Sequence, residues 1–89
     1  MERGYKLKYN DKWMAIRRQT GFFAAYLYDD EHDPNVDINI PLGMAKAVVS
    51  LADDPEMRKQ IEIIDCGELK PDEANMTIKD YLTRRIIRT

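Results

Sequence analysis

The sequence predicts an α+β fold: an antiparallel meander of four strands, or of five if a late segment joins, followed by two or three helices. Three observations predict it. Apolar residues recur at every second position in several runs between Tyr5 and Ile40. From Leu42 onward the recurrence has helical spacing. Between the runs stand Asn10-Asp11, Thr20-Gly21 and Asp54-Pro55, which turn strands or start helices. The 89 residues are expected to form a single domain, with 1–40 a β-meander and 41–89 mainly helical. A chain of this length buries only about 60–65% of its unfolded surface.

Tyr5, Leu7 and Tyr9 alternate with Lys6 and Lys8, the pattern of a half-buried first strand. Asn10-Asp11 forms a two-residue turn, because Asn tolerates the left-handed backbone that a tight hairpin needs. Trp13 to Arg18 is the second strand. Gly21 supplies positive φ for the next turn. Phe22 to Tyr28 is apolar on both faces, so a central place in the sheet is expected. Asp29 to Asn35 is a polar loop, and Val36, Ile38 and Ile40 alternate as a fourth strand. The alternative for residues 12–20 is a helix capped by Asp11 and closed by Gly21.

Leu42, Ala45, Val48, Val49 and Ala52 form a helical stripe after Pro41. Asp54-Pro55-Glu56 reads as a cap, a first-turn proline and an acid at the positive end of a helix that runs to about Gln60. Ile61 to Asp65 is the optional fifth strand, ended by Gly67. Thr77 and Asp80 have capping-box spacing. They open a last helix with the stripe Ile78, Tyr81, Leu82 and Ile86, and with Arg84, Arg85 and Arg88 in its final turns.

The formal net charge is −2, but the charge is segregated. Residues 1–20 carry six Lys/Arg against two Asp/Glu, whereas residues 21–40 carry five acids and no Lys/Arg. The two-residue first turn sets Lys8 against Trp13 and Leu7 against Met14. It places Tyr5, Leu7, Met14 and Ile16 on a core face, and Lys6, Lys8, Trp13 and Arg17 on the other. A second two-residue turn at Thr20-Gly21 adds Tyr26 and Tyr28 to the Trp13 face, and a one-residue slip there sends them to the core. Rings among cations on an exposed sheet suit single-stranded DNA or RNA, where bases stack and cations track phosphates. The competing expectation makes Trp13 and the tyrosines a second small core beneath the C-terminal helix, with lysines at its edge.

The four-strand meander running into a helix through "VDINIPLGMAKAVVSLADD" resembles the PUR and Whirly-type single-stranded nucleic-acid-binding proteins over roughly Gly4 to Asp54. The resemblance implies a dimer with stacking aromatics and basic residues on the sheet. By position, those roles fall on Trp13, Lys6, Lys8 and Arg17.

Other constellations carry less. "DDEHD" (Asp29 to Asp33) offers hard-cation ligand types, but Pro34 and Ile40 stand where an EF-hand loop needs Gly and Glu, so a solvated acidic loop is expected. His32, Ser50 and Cys66 are each the single residue of their kind. No nucleophile pair is adjacent in sequence and no phosphate-binding glycine loop is present, so the reading is a non-enzyme without cofactor or metal. The alternative function is a protein-interaction module, a small regulator or inhibitor that occupies a partner's surface. The apolar third strand in a short chain predicts a homodimer. MERGYKLKY lacks the apolar centre of a signal peptide and Cys66 has no partner thiol, so a cytoplasmic protein with no membrane association is expected.

Overall fold

The structure, a computed structural model, describes residues 2–84. Its elements in chain order are β1 (Arg3–Tyr9), β2 (Lys12–Gln19), β3 (Phe22–Tyr28), α1 (Leu42–Ser50), α2 (Pro55–Gln60), β4 (Glu62–Glu68), α3 (Pro71–Ala74) and α4 (Ile78–Thr83). The α+β class and the four-stranded antiparallel sheet are as expected, with strand order β3-β2-β1-β4.

Both hairpins form in the expected register. Asn10 and Asp11 take φ of 49° and 62°, the double left-handed geometry whose twist matches the flanking strands. Leu7, Lys8 and Tyr9 then face Met14, Trp13 and Lys12. Gly21 turns at φ 82°, and the β2–β3 ladder runs without a slip from Gln19↔Phe22 to Trp13↔Tyr28. Residues 12–20 are therefore not a helix: β2 has a ladder on both sides.

Three expectations need correction. The fourth strand of the sheet is not Val36–Ile40. The amides of Val36 and Asp37 both donate to the Asp33 carbonyl, and that of Ile38 to Val36, so local turns consume the donors a strand would need. Of that segment only Ile40 pairs, exchanging two backbone hydrogen bonds with Tyr5. The fourth strand is the late segment, which begins at Glu62, runs through Gly67 (φ 101°) to Glu68, and pairs with β1. As a result β3 is an edge strand rather than a central one.

Beyond Leu7↔Met14, β1 and β2 part. Continuing the register would put Tyr5 against Ile16, but Tyr5 bonds to Ile40, and the Ile16 backbone bonds to the Tyr81 hydroxyl. The core thus runs into the split sheet: Leu7, Met14, Ile16, Ile40, Ala45, Val48, Ala52, Tyr81 and Leu82 form one buried cluster, with α1 against β1 and α4 against β2. Full burial of Leu7, Ile16, Ile40 and Val48 stabilises by about 1.5–3 kcal/mol each.

The helices follow their signals. The Asp54 carboxylate accepts from the Glu56 amide, with Pro55 at the first helical position of α2. Thr77 and Asp80 bond each other's backbone amides in a reciprocal box that opens α4. Helix α4 ends at Thr83; Arg85, Ile86 and Arg88 lie outside the described residues. Helix α3 was not anticipated, being one turn with Pro71 at its start. Among the described residues no helix is long and apolar enough to cross a membrane.

Candidate functional site

The expected face does assemble in part. Lys8, Trp13 and Tyr28 lie in one row across β1, β2 and β3, and Ala15 faces Tyr26 in the next, which Lys6 does not join because β1 and β2 have parted there. The Lys8 Nζ sits 4.9 Å from the centre of the Trp13 ring, and Lys6 sits 6.0 Å from it. Trp13, Tyr26 and Tyr28 are half-buried, and Tyr26 accepts a hydrogen bond from Gln19 at 3.0 Å.

Two of the expected phosphate contacts point inward. Lys6 is 7% exposed and donates to the Asp37 carboxylate at 2.9 Å and to the Glu31 carbonyl at 3.2 Å. Arg17 is 2% exposed. Its guanidinium donates to the carbonyls of Asn35 (2.7 Å), Ile16 (3.1 Å) and Tyr81 (3.4 Å), and lies 5.2 Å from the centre of the Tyr81 ring. It is the clamp at which β2, the 29–41 loop and α4 meet.

The charge segregation is thereby resolved within the chain. The acidic loop folds back over the basic hairpin, with Lys12 bonded to Asp29 and Lys6 to Asp37 and Glu31. The hydrogen bond from Lys6, joined by His32 nearby, holds the Asp37 carboxyl below the usual carboxylate range. The loop is also self-braced: Asp30 accepts from the His32 amide, and Asp33 accepts from the Asn35 amide and side chain. Half-buried Trp13 shares the lining of a cleft with Glu31, His32 and Asp37 of this loop, whereas Tyr81 and Leu82 of α4 belong to the main core.

Between this loop and β4 lies an open polar cleft of about 440 Å³. Its polar groups are largely engaged: Glu73 accepts from the amides of Asn39 and Lys70, Asp65 binds Arg3, and Lys6 is held by Asp37. Cys66 lines it, donating to the Ile64 carbonyl, and partial burial pushes its thiol pKa up, away from a reactive thiolate. Ser50 donates to the Ala47 carbonyl. Among the described residues no group of three or more His, Cys, Asp or Glu side chains is placed to hold a metal ion.

Sequence reasoning missed a second surface, at the edge of the sheet. In a two-residue hairpin the closing pair is hydrogen-bonded and the pairs alternate thereafter. Gln19↔Phe22 closes this one, so Phe22, Ala24, Tyr26 and Tyr28 bond to β2, while Phe23, Ala25 and Leu27 aim their backbone groups away from the sheet. The strand carries no charge and no proline, and Phe22 and Leu27 are 55% and 43% exposed. Beside it, on the core face, Ile16, Phe23, Ala25, Ala52 and Met57 line a mainly apolar groove of about 190 Å³ rimmed by Asp53 and Asp54. The signal available was the run FFAAYLY itself, which reads equally as a buried central strand or an uncovered edge.

Comparison with known proteins adds no relative. No protein-family model, no curated protein and no solved structure matches the chain. The resemblance to single-strand-binding families therefore rests on sequence pattern alone.

Proposed function

We propose that this is a small non-enzymatic binding protein that docks an extended strand of a partner protein along β3. The carrying observation is an uncharged edge, to which no other described strand pairs, beside an apolar groove. Strand addition needs both parts: main-chain groups at Phe23, Ala25 and Leu27 supply affinity, and a pocket for alternate side chains supplies selectivity. Natural edges are usually blunted by charge, proline or a covering loop, and β3 has neither charge nor proline. The test is selection of displayed random decapeptides on the full chain, followed by titration on Ala25→Pro, which removes one outward N–H from an edge position. Peptides with alternating apolar residues that bind the parent and lose at least about tenfold affinity on Ala25→Pro support the reading. Peptides that bind both proteins equally overturn it.

A second reading, single-stranded nucleic acid on the Lys8–Trp13–Tyr28 row, is favoured by the cation stacked on Trp13 in register with Tyr28. It is the weaker reading, because Lys6 and Arg17 are committed to internal acceptors. Micromolar binding of labelled oligothymidylate that falls steeply with salt supports it, and no binding at low salt refutes it.

A further inference from the structure

We infer that the strand occupying this edge is β3 of a second copy of the chain, related by a two-fold axis through Ala25. The inference rests on the strand-docking reading above and names the partner. The outward backbone groups belong to Phe23, Ala25 and Leu27, which are symmetric about Ala25, the midpoint of Phe22–Tyr28. An antiparallel copy centred there sets Ala25 against Ala25 of the second copy and Phe23 against Leu27, so each outward N–H and C=O meets its complement.

The side chains agree with that register. Phe23 meets Leu27 on the core face; Phe22 meets Tyr28 and Ala24 meets Tyr26 on the opposite face. Aromatic and aliphatic cross-strand pairs of this kind stabilise sheets, and no charge on β3 opposes another. Alanine falls at the axis, so no bulky side chain crowds the hydrogen-bonded pair there. Leu27 of the second copy comes to the Phe23 wall of the apolar groove and roofs it.

Charge selects the same orientation. Asp29, bonded to Lys12, and Asp30 follow one end of β3, leaving that end acidic by the one charge of Asp30, and Arg18 lies opposite Phe23 near the other. The antiparallel two-fold arrangement sets the acidic end of each copy beside the Arg18 end of its mate. A parallel pairing would set the acidic ends together. The result is one continuous eight-stranded sheet.

Sedimentation equilibrium of the full chain from 1 to 200 µM tests this, with Ala25→Pro and Leu27→Lys as edge variants whose folding is checked by circular dichroism. Ala25→Cys in a Cys66→Ser background reads the register, because a hydrogen-bonded pair at the axis brings Cα atoms within disulfide range. The expected result is a dimer that becomes monomeric in whichever edge variant stays folded. The introduced thiols should cross-link on mild oxidation, whereas Lys46→Cys on α1 in the same background should not. A monomer at every concentration overturns the second copy as partner but leaves the strand-docking reading to its peptide test. A dimer that persists in the folded edge variants and fails to cross-link through Ala25→Cys places the contact elsewhere and overturns the inference.

Discussion

Arg17→Met removes the guanidinium and keeps most of the buried stem. In the folded chain that group donates to three carbonyls, the shortest contact being 2.7 Å to Asn35, and faces the Tyr81 ring at 5.2 Å. Hydrogen bonds from a charged donor contribute about 1.5–3 kcal/mol each, and a desolvated cation–π contact contributes about 2 kcal/mol. Against these stands the cost of burying the cation, several kcal/mol, which the substitution relieves. Among the described residues the Arg17 Nε has no hydrogen-bond partner, and the Tyr81 bond is long, so these contacts do not fully compensate the guanidinium. The loss expected for Arg17→Met is about 2–4 kcal/mol, chiefly because three carbonyls lose a donor inside the protein. For a chain of this size that corresponds to a fall in Tm of roughly 10–25 °C. Urea unfolding followed by Trp13 fluorescence measures it. Arg17→Lys keeps the charge without the planar fork and should lose a similar amount. A change below about 0.5 kcal/mol for Arg17→Met would refute the clamp and return Arg17 to the surface role the sequence suggested.

Further outcomes are expected. Asp37→Asn should cost stability at neutral pH. Because the folded-state pKa of Asp37 is lowered by the Lys6 hydrogen bond, its contribution is present above the ordinary carboxylate pKa and lost as pH falls through the lowered value. The difference in urea midpoint between parent and variant should therefore shrink below pH about 4. Tyr81→Phe should cost about 1–3 kcal/mol by calorimetry, since the Ile16 backbone loses the hydroxyl as its partner. Asp11→Gly should stabilise by about 0.5–1 kcal/mol in urea, because the residue sits at φ 62°. Gly4→Ala should destabilise by about 1–3 kcal/mol in the same assay, because its methyl would stand 2.4 Å from the Asn39 Cβ.

Local chemistry was legible in the residues. Asn10-Asp11 set the register of the first hairpin from Tyr9↔Lys12 to Leu7↔Met14, and Gly21 marked the second turn, whose two-residue form the fold then selected. Asp54-Pro55 and Thr77/Asp80 determined where α2 and α4 begin, because caps satisfy amides within the same few residues. The core residues Leu7, Met14, Ile16, Ala45 and Val48 followed from periodicity alone. The grouping of Lys8 with Trp13 followed from the first turn, whereas Tyr26 and Tyr28 joined it because the second turn formed without the one-residue slip that the residues left open.

Which strand completes the sheet, and what covers each face, was decided only by tertiary structure. Val36–Ile40 and Glu62–Glu68 both alternate well enough to be strands. The choice fell to β4 because it pairs along β1, while the amides of Asp33, Val36, Asp37 and Ile38 close on nearby carbonyls. That choice moved FFAAYLY from the centre of the sheet to its edge. Lys6 and Arg17 left the expected surface for a related reason. Alternation says which side of a strand a residue occupies, but not whether that side meets water, and here the acidic loop, with Asp37 and the Asn35 carbonyl, returns over it. Opposite charges 17 residues apart, as in Lys12 and Asp29, or 31 apart, as in Lys6 and Asp37, attract each other wherever the backbone lets them meet, and only the folded chain determines that meeting.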